Sequence, residues 1–370
     1  MANDRHIPSL DGLRGVSITL VILGHLAGVR GAPAFLSYRP LFDHGLLGVK
    51  VFFVVSGFLI TRLIADEMTD TGRLSLKLFY IRRVLRIFPA FYLYLGVVAL
   101  ASALHWLDIP LHNLAFAGSY TINYIIEGGR WETGHLWSLA IEEQFYLIWP
   151  FTIVILGLRR ALAGASALVV LAPYALLALF LHGAGRYMVA TRSFPFAFDA
   201  IAAGCVLGGA LELFLARPAF VRAIASPYGG LVPPVIFVLD GFPHNQAFFH
   251  AVAQPLITIG ICYGIARYTQ VVDSFGARVL AWRPLVWVGK RSYSLYLWQQ
   301  LFIDKYYQTL LQTFPINIAL AVACANASYT FIERPLNRLR ARYRPTARAI
   351  VEEPTEPAVD TSVSPAASRI

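Results

Sequence analysis

Arg14 and His25 stand eleven residues apart in the first apolar segment of the chain, SLDGLRGVSITLVILGHLAG. At about 100° per residue, eleven helical steps return to within roughly 20° of the same face, with a rise of about 16 Å. A guanidinium and an imidazole would therefore share one line across half a membrane. The imidazole can take up, release or transiently carry a group near neutral pH, and the guanidinium can hold an anion. Ionisable groups at that depth cost several kcal/mol unless paired or wetted, so they mark a functional path more often than a structural accident.

Three further constellations carry chemistry. In FYIRRVLRIFPAFYLYL, Arg83 and Arg86 are three apart and share a helix face, with Arg82 beside them and Pro89 able to kink the helix. Such a pair suits bidentate binding of phosphate or pyrophosphate, and serves equally as an anchor for lipid headgroups. In GHLWSLAIEEQFYLIWP, His135 precedes a span, Ser138 is placed to cap it, and Glu142 and Glu143 follow in its first turns. Adjacent glutamates there are either a catalytic or binding carboxylate pair or a solvated edge beneath interfacial aromatics. In RSFPFAFDAIAAGCVLG, Arg192 and Asp199 are seven apart, which favours an internal salt bridge. Ser292, Tyr293, Ser294, Tyr296 and Gln299 line the segment GKRSYSLYLWQQLF with hydroxyls and an amide, as interhelix glue or as the wall of a polar cavity. His25, His135 and the glutamates lack a metal-ligand spacing, so no metal is implied.

Positioning these groups falls to membrane helices. Of 370 residues, 57% are hydrophobic and only 14% charged, and the mean hydropathy is +0.59. That composition predicts an all-α, polytopic transmembrane bundle. Ten apolar segments are centred on 13–29, 45–63, 84–104, 136–157, 161–181, 194–215, 226–240, 248–266, 286–303 and 314–332, the seventh interrupted by Pro233 and Pro234. Most Lys and Arg then collect on the side that holds both termini, which the positive-inside rule makes cytoplasmic. The net charge of +10 is explained by that asymmetry and calls for no nucleic acid. Cys205, Cys262 and Cys324 lie in apolar runs as small core residues. The first segment lacks the features of a cleaved signal peptide, so it is expected to stay as a span. Residues 1–342 form the transmembrane domain, and 343–370, rich in Pro, Ser and acid, are expected to be a disordered cytoplasmic tail.

Taken together, the motifs resemble those of one family. The SLDGLRG start with its Arg-x10-His, GVKVFFVVSGFLITRLI, RRVLRIFPAFYLYL, HLWSLAIEEQFYLIWP, FDAIAAGCVLG, SYSLYLW and FIERPLNRLR follow in the order found in the acyltransferase-3 family of bacterial membrane acyltransferases, over residues 7–342. The resemblance implies a ten-helix enzyme of the bacterial inner membrane. It would move an acyl group, usually acetyl from cytoplasmic acetyl-CoA, onto a hydroxyl of an envelope polysaccharide, a lipid-linked glycan or a glycosylated metabolite. Acetyl-CoA would be a co-substrate, with no bound cofactor. Members usually carry Asp where this chain has Lys50, and His followed two residues later by Pro where it has Gln299 and Leu301. Some members append an extracytoplasmic hydrolase-like domain; the residues after 333 are too few and too polar for one.

Within that resemblance, Arg83 and Arg86 suit the CoA phosphates, Arg14 steers the donor, and His25 is the base or transient acyl carrier. Glu142 and Glu143 would orient a histidine or bind the sugar. Lys50, a turn below the outer surface, is expected to pair with one of those glutamates. A transporter or flippase is the alternative, since intramembrane Arg, His, Asp and Glu also describe proton relays. The lack of paired broken helices in two halves disfavours it.

Overall fold

The computed structural model describes residues 7–125, 129–183, 187, 190–241, 245–306 and 309–343. All regular structure among them is helical, and nine helices have eleven or more residues. These are α1 (Pro8–Leu26), α2 (Gly45–Thr71), α3 (Leu76–Ala103), α4 (Leu136–Leu156), α5 (Leu158–His182), α6 (Asp199–Leu215), α7 (Gln254–Gln270), α8 (Ser292–Phe302) and α9 (Ile316–Ser328). Apart from Tyr343, the expected tail lies outside the described residues.

Local signals account for the helix ends. Pro8 opens α1, where a missing N–H costs nothing, and His25 lies in its last turn, where the helix dipole favours a basic group. α2 ends at Gly72, left-handed at φ 79°, whose N–H bonds to the Met68 carbonyl. Ser75 caps α3 by accepting from the Leu78 N–H at 3.3 Å. Two single π-turns, Phe249–Ala253 and Tyr329–Glu333, lead out of or into regular helix and re-aim the side chains around them.

Among the described residues, seven helices are long and apolar enough to cross a membrane, and an eighth if α6 is counted with Pro218–Ala225, which bends away from it by 109°. The segments at 226–240 and 286–303 are not single long helices. The first is a 3-10 turn, Pro227–Leu231, leading into a ten-residue helix, Val232–Gly241. Pro233 and Pro234 start that helix rather than interrupt it, because its first turn has no N–H to lose. The second divides at Arg291 into Arg283–Lys290 and α8.

Small residues set the tightest crossings. A Cβ on Gly57 of α2 would lie 2.0 Å from the Ile201 carbonyl oxygen of α6, and one on Gly204 of α6 would lie 2.1 Å from that of Val54. Between apolar helices in lipid, close backbone approach of this kind drives association. α1 is gripped likewise: a Cβ on Gly289 would meet the Asp11 carbonyl oxygen at 1.7 Å. The core of Tyr94, Phe91, Phe145, Ile18, Ile60 and Ile141, all essentially inaccessible, packs around these crossings. Its residues come from α1, α2, α3 and α4.

Candidate active site

His25 is one residue from the end of α1, not at mid-helix, because the chain turns away at Ala27 and Gly28. Its Nδ1 lies 2.9 Å from Gln299 Oε1. An amide oxygen only accepts, so this orientation puts the proton on Nδ1 and leaves the Nε2 lone pair free. The ring stands edge-on to Trp131, centroids 5.2 Å apart, and the Trp131 indole donates to the Ile303 carbonyl at 2.9 Å. Asp43 and Lys305 lie within electrostatic range. Gln299, one of the residues at which this chain departs from the pattern its motifs resemble, is thus the one that orients the imidazole.

His135 meets the same end of the bundle from α4. Its ring is 3% exposed and packs against Tyr94 and Tyr296, with centroids 5.6 and 5.3 Å away. Its backbone N–H donates to Gln300 Oε1 at 3.0 Å, and its carbonyl accepts from Tyr296 at 2.9 Å and from Ser138 at 3.3 Å. Ser138 is therefore not the helix cap expected of it. It lies inside α4, its hydroxyl 2.6 Å from that of Tyr296.

Glu142 and Glu143 are two turns into α4 and belong to a different cluster. Seven residues beyond His135, Glu142 returns to nearly the same face about 10 Å along the axis. It accepts short hydrogen bonds from the Ser56 and Tyr146 hydroxyls and lies within electrostatic range of Arg14. Glu143 is in range of Arg83 and Arg86. The Arg83 guanidinium sits between the rings of Phe79 and Tyr146, 5.5 and 5.1 Å from their centroids. Arg82, by contrast, pairs with Glu67 at 2.9 Å. Tyr293 donates to the Ile87 carbonyl at 3.0 Å, tying α8 to α3 beside this cluster. Glu333, at the end of its π-turn, accepts from Ser294 and adds a third carboxylate, in range of Arg14 and Arg86.

The glutamates thus bond to neither His25 nor His135. Glu142 and Glu143 join Arg14, Arg83 and Arg86, while His25 joins Gln299, His135, Ser138 and Tyr296. The two clusters occupy opposite ends of one line along α1.

Two ion pairs expected from the sequence are absent among the described residues. Lys50 does not meet Glu142 or Glu143. Its ammonium lies 5.4 Å from the Phe249 ring centroid, in range of Asp199 and Asp240, because its face of α2 looks toward α6 and α7. Asp199 does not meet Arg192. The helix of Asp199 begins only at that residue, so seven positions do not make two helical turns. Arg192 is exposed over Trp137, 5.8 Å from its ring centroid, and Asp199 accepts from Gln254 Nε2 at 2.7 Å. That bond extends through His250 Nδ1, 2.8 Å from Gln254 Oε1, to Tyr187, 2.9 Å from His250 Nε2.

Sequence reasoning missed Ser56, Tyr146, Glu333, Gln300 and Trp131. Glu333 carried a signal, a lone acid closing an apolar segment; the others are ordinary span residues until their partners are known. Among the described residues, no three His, Cys, Asp or Glu side chains converge as a metal site.

Comparison with known proteins agrees with the motifs. The family profile described as an acyltransferase domain matches residues 7–331. "Putative O-acetyltransferase SACOL0978" of Staphylococcus aureus (strain COL) is 31% identical over 360 residues, covering 90% of this chain and 58% of that protein. "O-acetyltransferase OatA" of Staphylococcus aureus (strain NCTC 8325 / PS 47) is 31% identical over 369 residues, covering 91% and 58%. The chain therefore spans about 58% of the length of the curated relatives it matches. No solved structure matches it. With seven ordered motifs, a helical bundle that gathers their polar residues at its two ends, and a profile match over most of its length, the chain belongs to the acyltransferase-3 family.

Proposed function

We propose that the chain is an O-acyltransferase of the bacterial inner membrane that takes acetyl from cytoplasmic acetyl-CoA at the Arg83 end and delivers it to a carbohydrate hydroxyl at the His25 end. The observation that carries this is the division of polar groups along α1. Three guanidiniums gather at one end, and an imidazole with a free Nε2 lone pair stands at the other, about 16 Å away. Both termini lie on the donor side in this scheme.

Each demand of the chemistry has a candidate. A thioester is already activated, so transfer needs a hold on the CoA phosphates, a base, and a docked hydroxyl. Arg83 and Arg86 hold phosphate, and Arg14 extends the positive field toward the bundle interior. Glu142 and Glu143 limit that field, so CoA is bound without being trapped. At the other end, His25 Nε2 takes the proton of the acceptor hydroxyl as its oxygen attacks the acyl carbon. The C–S bond breaks with its electron pair on sulfur, and the thiolate is protonated as CoA leaves. Gln299 keeps the imidazole in the productive tautomer throughout.

Membranes containing the protein, incubated with [14C]acetyl-CoA, are expected to accumulate alkali-labile label in acceptor material. His25→Ala should lower that rate at least about 100-fold, the share of a general base. Movement of a glycan or acyl intermediate across the membrane with no label fixed would instead favour a transporter.

A further inference from the structure

His135 is buried at the acceptor end, yet neither of its ring nitrogens has a hydrogen-bond partner. The Gln300 amide and the Leu297 carbonyl lie close enough to influence the ring, and neither stands in bonding geometry to it. Gln299 presents the same anomaly. It is fully buried, its oxygen is engaged by His25, and its Nε2 is unpartnered. Leaving a buried polar group unpaired costs about 1–3 kcal/mol, so two such groups side by side need a reason. They are side by side: Gln299 bonds His25, His25 lies in electrostatic range of His135, and Tyr296, one turn before Gln299, bonds the His135 carbonyl.

What the two groups offer is alike. The Gln299 Nε2 is a donor only, and an imidazole in either protonation state presents at least one N–H. Two N–H donors beside a base with a free lone pair are what acyl transfer requires, because negative charge builds on the carbonyl oxygen as the hydroxyl attacks the carbon.

We propose that His135 and the Gln299 amide form the oxyanion site of the transfer, each donating a hydrogen bond to the acyl carbonyl oxygen while His25 takes the proton of the attacking hydroxyl. This rests on the acyl-transfer function proposed above. In the step, the acceptor oxygen bonds to the acyl carbon and the C=O electron pair moves onto oxygen, where the two N–H groups hold it. The pair then returns as the C–S bond breaks, and sulfur leaves with its electrons to be protonated. His135 and Gln299 lose no proton. Gln299 acts twice, its oxygen orienting the base and its nitrogen binding the substrate.

The site can be tested without dismantling its frame, because all the hydrogen bonds that His135 makes are main-chain bonds and survive a change of side chain. His135→Phe keeps a ring and loses both nitrogens; His135→Asn keeps a donor. Gln299→Glu keeps an acceptor for His25 and loses the amide N–H. In the membrane assay with [14C]acetyl-CoA, normalised to folded protein, His135→Phe and Gln299→Glu should each lower kcat by about 10²–10³ with the KM for acetyl-CoA unchanged. His135→Asn should recover a large part of the loss. Equal rates for the Phe and Asn variants, a wild-type kcat in either donor-less variant, or an effect on KM alone overturns the proposal and leaves the acyltransferase function standing. A wild-type protein that fixes no label overturns both.

Discussion

Residue by residue, the polar groups differ in how completely their neighbours satisfy them, and that separates chemistry from scaffold. Arg83 and Arg86 lie in range of Glu143, and Arg86 of Glu333 as well, yet among the described residues neither closes a salt bridge, which leaves donors for a ligand. Replacing both by Ala should raise the apparent KM for acetyl-CoA by tenfold or more, since charge-assisted bonds to phosphate contribute about 1.5–3 kcal/mol each. Unchanged KM with altered insertion would make them lipid anchors instead. Lys50 is the contrary case. It lies near Asp199, Asp240 and His250 and away from both clusters on the α1 line. Lys50→Met should therefore destabilise the solubilised protein by about 1–3 kcal/mol, because the 4% exposed Asp199 loses a compensating charge. Turnover per folded molecule should stay close to wild type, and Asp199→Asn should restore part of the melting temperature. A loss of kcat at unchanged stability would return Lys50 to the reaction.

Among the helices, three ladders of side chains do the positioning. α1 carries Arg14 and His25; α4 carries Ser138, Glu142 and Tyr146, with His135 just before its first residue; α8 carries Tyr293, Tyr296 and Gln299. Spacings of three, four, seven and eleven keep each ladder on one face. Their mutual depth depends on the close crossings, so Gly57→Leu should separate α2 from α6. Overpacking costs about 1–3 kcal/mol even where neighbours yield, and the Ile201 carbonyl cannot yield. A markedly lower melting temperature or failure to accumulate is expected; a protein as stable as wild type would show that the crossing adjusts. The ladders themselves were legible in the sequence, since periodicity fixes which residues share a face. Depth was not. With Ser138 as its cap, α4 would hold Glu142 in its first turn; it begins at Leu136 and puts the carboxylate about two turns in, within range of Arg14. The Lys50 pairing failed because rotation of one helix against another is decided by packing, which no single segment records; the Arg192–Asp199 pairing failed because the helix starts only at Asp199.

On the scale of the whole molecule, ionisable groups stand at both ends of the bundle, and α1 runs between them as an apolar stretch, whereas α4 and α8 place the Ser138 and Tyr296 hydroxyls there. On α1 that stretch is Ile18 and Val21, which lie on the Arg14–His25 face and are 0% and 2% exposed. Such a stretch has a bioenergetic consequence. A chain of acids and bases from one surface to the other would conduct protons and discharge the gradient that powers the cell. Two hydrocarbon side chains interrupt such a chain along α1, while in the proposed step the acyl group arrives uncharged on the arm of CoA. In proteoliposomes loaded with a pH-sensitive dye, wild type should hold an imposed pH difference, whereas Ile18→Ser with Val21→Ser should let it decay. Equal decay in both would place the insulation elsewhere. In the proposed scheme the acyl group crosses a membrane, and on α1 two aliphatic side chains keep that crossing from becoming a short circuit.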